Sequence, residues 1–327
     1  MVGRRADRGA GVARGPGRRI LALVAFLALL AAIVAVRLPQ RAFVWAVDGA
    51  RGQAPPNDAL RSEESVRLRV MTWNMLCSVC LKRGYEGLAA RAPHLRARIV
   101  AHDPDVVAVQ ELAGRRELDA VFGGSPWAHV AFGRGRWADA AIVYRADRLR
   151  ARDDGALWLS PTPTVPFGWP WRAWSVPRLV VWALLEDPDG GRVLVTSTHF
   201  DAASTNKRPS ASLFGTTFPP LSDRVPLVAA GDFNLRADDT AFDAARGSLV
   251  DAERIATAVE RLGPLDLPYT RPELRPERRI DHLLVPPDAA VARFVHDATA
   301  YVAADRAPRR PSDHPAVVAD VVLLPRP

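Results

Sequence analysis

Cysteine is scarce in this chain of 327 residues, which contains only Cys77 and Cys80. A structural zinc site needs four ligands, and no second cysteine pair or nearby histidine pair completes one. The strand-to-helix pattern of a thioredoxin-like redox site is also lacking around the pair. Three states of the two cysteines therefore stay open: a local disulfide in an oxidising compartment, two free buried thiols, or a redox pair.

The net charge of the chain is +8, but most of the chain has little net positive charge. Residues 1–69 contain twelve arginines against five acidic residues, which leaves a net charge of only +1 for the other 258 residues. Nonspecific nucleic-acid binding needs clustered cations that release counterions, so the charge of the body argues against it. Internal repeats are lacking too, and nothing indicates a solenoid.

Near the amino terminus, residues 20–36 form an uninterrupted apolar run of 17 residues. This length is at the lower limit for a membrane-spanning helix and above that of most signal-peptide cores. Six arginines precede the run, which predicts that residues 1–19 form a basic cytoplasmic tail. We expect residues 20–36 to be a transmembrane anchor, residues 37–66 a linker and residues 67–327 an exported domain. A cleaved signal segment and a buried core helix are the alternatives.

The body is predicted to contain more strands than helices. A helix is predicted over 93–102, with Pro93 in its first turn. The sequence Asp187-Pro188-Asp189-Gly190-Gly191 predicts a tight hairpin turn between two of the strands. Strands are predicted over 68–75, 105–109, 140–144, 179–186, 192–198, 226–230, 280–285 and 315–323. This pattern favours an α/β (α+β) fold in which two mixed sheets pack face to face with helices outside.

Residues 158–174 combine four tryptophans with four prolines. Proline argues against a central strand or a helix interior in this segment. We expect a rigid loop whose indoles pack on the body. The alternative is a rim that contacts the substrate or a membrane surface, since indoles suit interfaces.

Six short polar segments border the predicted strands and supply carboxylates, amides and imidazoles. Each one alone has a structural explanation, such as a turn or a surface position, but six together are unlikely to arise by chance. They are Thr72-Trp73-Asn74, Gln110-Glu111, Thr198-His199-Phe200-Asp201, Gly231-Asp232-Phe233-Asn234, Arg279-Ile280-Asp281-His282 and Ser312-Asp313-His314. This set of groups suits magnesium-assisted attack of water on a phosphate ester.

Individual roles follow from residue type and spacing. Asp232 and Asn234 are two apart and point to the same side of an extended segment, where Asp232 could orient or deprotonate water and Asn234 could hold it. The histidines His199 and His314 could donate to phosphate oxygens as charge develops. Asp281 could accept from one imidazole and fix its tautomer.

The other histidines lack such settings. His282 stays undecided, because it alternates to the opposite face of the strand from Asp281. We expect the remaining four to be structural: His94, His102, His129 and His296.

On these motifs the chain resembles the endonuclease/exonuclease/phosphatase family, with its DNase I-like fold, from about residue 68 to residue 322. The resemblance implies a four-layer α/β sandwich with one site at the sheet edges and Mg²⁺ as cofactor, with Mn²⁺ as a possible substitute. It also implies that Glu111 is the principal metal ligand, with Asn74 beside it and Asp313 supporting, and that His314 pairs with Asp281 while His199 assists from the other side.

The chain departs from the family pattern in two places. Few helix-forming residues follow Phe214 in a stretch where the family has a helix, and only Arg208 with Ser210-Ala211 resembles its remnant. The basic loops with which the family's nucleases grip DNA are not evident. Both departures bear on the predicted substrate class more than on the predicted reaction class.

The sequence therefore predicts an exported, membrane-anchored, Mg²⁺-dependent phosphoesterase that is a monomer in the cell membrane, with its catalytic domain on the extracytoplasmic side. The substrate could be a lipid headgroup, a nucleic acid or a soluble small molecule, and the apolar segment and tryptophans favour the first. The alternatives are a secreted nuclease of the same fold and a catalytically inert envelope scaffold.

Overall fold

The computed structural model describes residues 52–56, 60–80, 82–112, 114–124, 126–131, 139–165, 168, 171, 175–267 and 271–326. These residues fall within one compact unit, Ala50–Pro327. The predicted tail and apolar segment, together with most of the predicted linker, lie outside the described residues. In the part of the chain that is described, no helix has the length and apolarity to cross a membrane.

Fifteen strands are described. They are β1 (Val66–Asn74), β2 (Val106–Gln110), β3 (Trp127–Ala131), β4 (Ala140–Arg145), β5 (Arg150–Trp158), β6 (Leu179–Glu186), β7 (Arg192–His199), β8 (Leu227–Asp232), β9 (Val250–Asp251), β10 (Ala256–Leu262), β11 (Asp281–Val285), β12 (Ala290–Asp297), β13 (Tyr301–Val302), β14 (Pro308–Arg309) and β15 (Ala316–Leu323).

These strands form two large mixed sheets and a small ribbon. The seven-stranded sheet has the order β10-β12-β15-β1-β2-β4-β3, and the six-stranded sheet has the order β5-β6-β7-β8-β11-β9. Strands β1 and β2 are parallel, as are β7 and β8, while β8 and β11 are antiparallel. Strands β13 and β14 pair as a two-stranded ribbon.

Five α-helices are described: α1 (Leu88–His102), α2 (Arg115–Phe122), α3 (Ser204–Thr217), α4 (Thr240–Arg246) and α5 (Ala252–Ile255). Leu95 of α1 and Leu118 of α2 pack in one cluster with Val107 and Val109 of β2. On the other side of the molecule, Phe214 of α3 packs with Phe242 of α4 and with strands of the six-stranded sheet.

The largest core cluster joins the facing sides of the two sheets. It contains Val106 and Ile142 from the seven-stranded sheet together with Val181, Val195 and Val228 from the six-stranded sheet. Strand β2 is buried along its whole length, as a central strand covered on both faces should be. The predicted arrangement, two packed mixed sheets with helices outside, is confirmed.

Two element predictions were wrong in detail. Helix α1 begins at Leu88, after Gly87 in an extended conformation, so Pro93 lies inside the helix rather than in its first turn. The segment after Asp201 is not a remnant but the full helix α3, which continues through Gly215. A side chain at Gly215 would collide with the carbonyl oxygen of Ala244, so this glycine permits the close packing of α3 on the next helix.

The tryptophan-rich segment is described only in part. Trp158 is buried at the end of β5, and Trp171 packs partly buried against the outer cluster of the six-stranded sheet. Trp169 and Trp174 lie outside the described residues. The described indoles therefore pack on the body.

Candidate active site

Three neighbouring strand ends bring His199, Asp232 and Asp281 side by side. In the register of the six-stranded sheet, His199 of β7 and Asp281 of β11 both lie opposite Asp232 of β8. Gly231 precedes Asp232 with φ +150°, and a Cβ at this position would overlap the carbonyl oxygen of Thr198. The glycine thus lets β7 and β8 approach closely enough to align the three side chains.

Asp232 is the hub of the site. Its Oδ2 atom accepts from Asn74 Nδ2 at 3.1 Å and lies 3.3 Å from His199 Nε2 and 3.9 Å from His314 Nε2. The backbone N–H of Asn234 donates to its Oδ1 at 2.9 Å. Burial raises the pKa of this carboxyl, but the charges that the two imidazoles carry when both are protonated, at acidic pH, outweigh burial and lower it. Asp232 is therefore a buried carboxylate rather than a carboxylic acid.

His314 pairs with Asp281 in the interior. His314 Nδ1 lies 2.8 Å from Asp281 Oδ2, and both side chains are buried. Burial lowers the pKa of His314, but the charges of Asp281 and Asp232 outweigh burial and raise it to about 10. At neutral pH, His314 is therefore a cation that presents Nε2–H to the site.

His199 has the opposite character. Its Nδ1 atom lies 2.7 Å from Arg178 Nη1 and 3.2 Å from Asp139 Oδ1. Burial and the Arg178 charge lower the pKa of His199 to about 4. The imidazole is therefore neutral, and an Nδ1 that accepts from Arg178 leaves the proton on Nε2, which faces Asp232.

Asp139 and Arg178 were not predicted as site residues. The two side chains form an ion pair beside His199. Asp139 has no motif around it in the sequence, and it reaches the site because the Glu111 backbone N–H binds its carbonyl oxygen at 3.1 Å. Arg178 directly precedes β6, the strand predicted over 179–186, and that position was the one available signal.

Glu111 and Asn74 lie together on the other side of Asp232. Asn74 Nδ2 donates to Glu111 Oε1 at 3.1 Å, and the backbone N–H of Cys77 donates to Glu111 Oε2 at 2.8 Å. Burial raises the pKa of Glu111, but these hydrogen bonds and the charge that His199 carries when protonated, at acidic pH, outweigh burial and lower the pKa. Glu111 also has φ +66°, a left-handed conformation that is uncommon for a non-glycine residue and that turns its carboxylate away from the strand.

A disulfide between Cys77 and Cys80 closes the turn next to Glu111. Of the three states left open by the sequence, the structure contains the disulfide. Buried Arg91 supports the same turn, because its guanidinium donates to the carbonyl oxygens of Met75 at 2.7 Å and Leu76 at 2.7 Å. Arg91 was missed by sequence reasoning, since it occupies an ordinary helical position.

Asp313 lies at the edge of this group. Its carboxylate is fully buried and forms ion pairs with Lys82 and, at 3.5 Å, with Arg271. Its negative charge partly opposes the net lowering of the Glu111 pKa. The hydroxyl of Ser312 donates to the Asn74 carbonyl oxygen at 2.5 Å and ties this segment to the end of β1.

Asn234 lies beside the hub with its amide already engaged. Its Nδ2 donates to the carbonyl oxygen of Phe200 at 2.8 Å, which leaves the side-chain oxygen available. Like Glu111, it has a left-handed backbone, with φ +50°.

The remaining histidines lie apart from the hub. His282 contacts Asp251 at 2.6 Å and the Leu235 carbonyl oxygen at 2.9 Å, on the face of β11 opposite Asp281. His102 pairs with Asp297 at 2.7 Å, and His94 stacks on Tyr301. His282 is thus a buried structural residue in this geometry.

The donor set fits a hard divalent cation. Glu111 and Asp232 present carboxylate oxygens, the ligand type that Mg²⁺ prefers. Asn74 turns its Nδ2 toward both carboxylates, while its Oδ1 accepts from the backbone N–H of Leu76 at 3.2 Å. Ligand atoms of Asp232, Asp281 and His314 lie within 4.8 Å of one another. Two buried oxygens, Asp281 Oδ1 and Asp313 Oδ1, find no hydrogen-bond partner within the described residues, and unpaired buried acceptors are rare unless a cation or water satisfies them.

Comparison with known proteins agrees with this geometry. Residues 71–314 match the Endonuclease/Exonuclease/phosphatase family, and the chain belongs to that family. A comparison with curated protein sequences gave no match.

Solved structures share the fold. A family member from Bacteroides thetaiotaomicron has 26% identity and a TM-score of 0.66, covering 79% of this chain and 96% of its own. A mannosyl-6-phosphatase from Bacteroides thetaiotaomicron VPI-5482 has 26% identity and a TM-score of 0.64, with coverages of 78% and 99%. The TDP2 of D. rerio, complexed with a single-strand DNA product, has 16% identity and a TM-score of 0.57, with coverages of 78% and 98%.

Proposed function

We propose that this protein is a Mg²⁺-dependent phosphoesterase that hydrolyses a phosphate ester by in-line attack of water. The proposal rests on the surroundings of the Asp232 carboxylate. This carboxylate faces the Asn74 amide, the neutral imidazole of His199 and the cationic imidazole of His314. A purely structural carboxylate would not need two histidines, each supported by its own acidic residue.

Glu111, with Asn74 and Asp313, would hold the metal, as the resemblance implied. When bound, the ion would neutralise charge that develops on the phosphoryl oxygens. Glu111 is suited to this role because it is ionised, fixed by the Cys77 N–H and aimed at Asn74.

Asp232 would orient the attacking water and accept its proton. Its lowered pKa makes it a weak base, so orientation is its larger contribution. Asn234, with its side-chain oxygen left available, would accept a second hydrogen bond from the same water.

The two imidazoles would stabilise the transition state from two sides. His314, a cation held by Asp281, would donate to a phosphoryl oxygen as its negative charge grows. His199, neutral and fixed by Arg178 and Asp139, would donate through Nε2 without adding a full charge.

For the substrate, a small phosphate ester has the best support. The body outside the basic first 69 residues has a net charge of only +1, which is low for a nucleic-acid-binding surface. The mannosyl-6-phosphatase is more similar in sequence to this chain than TDP2 is, at 26% against 16% identity.

The test is a substrate panel with Mg²⁺, Mn²⁺ and EDTA arms, applied to the native protein and to Glu111→Gln. We expect metal-dependent turnover that the variant reduces by about 10²–10⁴-fold. The control is Glu63→Gln, an exposed carboxylate outside the site. Turnover that persists in EDTA and in the Glu111 variant would refute the metal site, and no turnover on any phosphate ester would favour an inert scaffold.

We also propose that residues 20–36 anchor the protein in the cell membrane, with the catalytic domain outside the cytoplasm, and that it acts as a monomer. The unbroken apolar run and the arginines before it support the anchor. The disulfide of Cys77 and Cys80 supports an oxidising location. Secretion after cleavage of the same segment is the alternative.

A further inference from the structure

A cavity beside the loop that precedes α1 is not used by the chemistry described above. Its volume is about 290 Å³. One wall comes from the loop before α1 and the other from β14 and the residues around it. The lining residues are Gly84, Tyr85, Leu267, Ala307, Pro308, Arg309 and Arg310.

Two short chain segments connect this cavity to the candidate active site. Tyr85 follows three residues after Lys82, which forms an ion pair with Asp313, and Arg310 lies three residues before Asp313. The Asp313 charge also acts on the Tyr85 hydroxyl, whose pKa burial and this charge raise to about 12. A ligand in the cavity would therefore extend from a phosphate held beside Asp313.

The wall of the cavity has one polar edge and one apolar face. The phenol of Tyr85 is neutral and interacts with Arg310, which is fixed by the carbonyl oxygen of Ala298 at 3.3 Å. Arg309 is held by Glu86 at 3.3 Å. Leu267 and Pro308 supply the apolar face.

This combination suits a hydroxylated ring. The C–H faces of a sugar or cyclic polyol pack on apolar side chains, while its hydroxyl groups need fixed donors and acceptors such as Tyr85. The volume is at the lower end of the range for ligand pockets, which leaves room for a single ring but not for a polymer segment or an acyl chain.

The charges around Asp313 favour a doubly charged phosphate. Lys82 and Arg271 both reach Asp313, and their side chains are 32% and 42% exposed. Two accessible cations beside one buried carboxylate attract a phosphomonoester dianion more strongly than a diester monoanion.

We propose that this cavity binds the sugar or polyol of a phosphomonoester substrate, with Tyr85 as a residue that determines specificity. The inference rests on the proposed phosphoesterase function and names its substrate class. The leaving group is then a hydroxylated ring, and hydrolysis transfers the phosphoryl group to water and returns a proton to the sugar oxygen.

The experiment measures kcat and KM for three hydroxylated monoesters: mannose 6-phosphate, glucose 6-phosphate and inositol monophosphate. The comparison substrates are p-nitrophenyl phosphate, a monoester without ring hydroxyls, and the diester bis-p-nitrophenyl phosphate. We expect at least one hydroxylated monoester to have a higher kcat/KM than both nitrophenyl esters. In Tyr85→Phe, the KM for that substrate should rise by about five- to tenfold, the effect of one lost hydrogen bond, while its kcat and all values for p-nitrophenyl phosphate stay within twofold.

Two further variants keep the test decisive. Ala307→Phe, which fills the cavity, should raise KM for the hydroxylated monoester in the same selective way, and Tyr144→Phe on β4 should change nothing. Preference for the diester, or equal effects of Tyr85→Phe on all substrates, would overturn the cavity assignment. Loss of all turnover in the native protein, p-nitrophenyl phosphate included, would instead indicate that the proposed function itself is wrong.

Discussion

The two site histidines differ because their nearest charges differ. Both imidazoles are buried, and burial alone lowers the pKa of each. His314 is next to Asp281 and Asp232 and stays protonated, whereas His199 is next to the cation of Arg178 and stays neutral. At neutral pH, the carboxylate of Asp232 thus faces the charged imidazole of His314 and the uncharged imidazole of His199.

Outside the site, His296 makes a pH-dependent contribution to stability. Burial and the charges of Arg279 and Arg261 lower its pKa to about 4, and its Nε2 atom has no hydrogen-bond partner among the described residues. The folded state therefore keeps it neutral, while the unfolded chain protonates it near pH 6.5. Its contribution is complete above about pH 6.5 and is lost as the pH falls toward 4.

We predict that His296→Leu removes this dependence. Between pH 7 and pH 4, the native protein should lose roughly 1–3 kcal/mol more unfolding free energy than the variant does. Urea unfolding at a series of pH values measures the difference, with exposed His129→Leu as the control. Parallel pH profiles for the native protein and His296→Leu would contradict the prediction.

The residues that meet around Asp232 were more predictable than the residues that support them. Asp232, His199 and Asp281 were identifiable because each follows or begins a strand with a buried apolar pattern. Asp139, Arg178 and Arg91 were not, because each reaches the site through the three-dimensional fold and sits in an unremarkable local sequence. Contacts between segments far apart in the chain leave no local pattern.

Among the elements, the β7–β8 pair depends on one glycine. Gly231 has φ +150° and faces the backbone of Thr198, so a side chain there meets both strain and overlap. We predict that Gly231→Ala lowers the unfolding free energy by about 2–4 kcal/mol and abolishes turnover by displacing Asp232. Thermal unfolding and activity measure the two effects.

The matched control is Gly87→Ala. A Cβ at Gly87 meets nothing within 4 Å, and its backbone is extended, so this variant should be nearly neutral. If both alanine variants unfold at the same temperature, the close approach of β7 and β8 does not constrain this position.

The turn closed by the disulfide supports a metal ligand directly. Cys77 donates its backbone N–H to Glu111, so a loosened turn should weaken the metal site more than the fold. We predict that a Cys77→Ser, Cys80→Ser double variant needs about tenfold more Mg²⁺ for half-maximal activity, equivalent to roughly one hydrogen bond. Metal titration with and without a dithiol reductant measures this, and the serine variant should no longer respond to the reductant.

Element predictions succeeded mainly for strands that are buried along almost their whole length. Strands β2, β6 and β7 were found because their apolar runs are buried along almost their whole length. Strand β5 was missed because its first half is polar and largely exposed, as befits an edge strand of the six-stranded sheet. The sequence predicted only a remnant of helix α3, because Gly215 is a poor helix former. This glycine permits the close packing of α3 on the next helix.

At the scale of the whole molecule, the net charge and the long apolar run are both concentrated near the amino terminus. The first 69 residues contain almost all of the net charge, and residues 20–36 form the apolar run. The compact unit that begins at Ala50 has its own core between two sheets.

We predict that the chain from residue 50 onward keeps full activity but loses membrane association. Full-length protein should sediment with membranes and the shortened chain should stay in the supernatant, with equal kcat/KM on a soluble substrate. Membrane association of the shortened chain, or its absence from the full-length protein, would contradict the anchor.

The disulfide beside Glu111 has a consequence for when the protein becomes active. A newly made chain in a reducing cytosol would fold with an unlocked ligand turn and bind its cation poorly. Passage to the oxidising side would lock the turn and raise cation affinity there. On the proposed route of export, intracellular phosphate esters would thus meet a protein with lower cation affinity than the exported one.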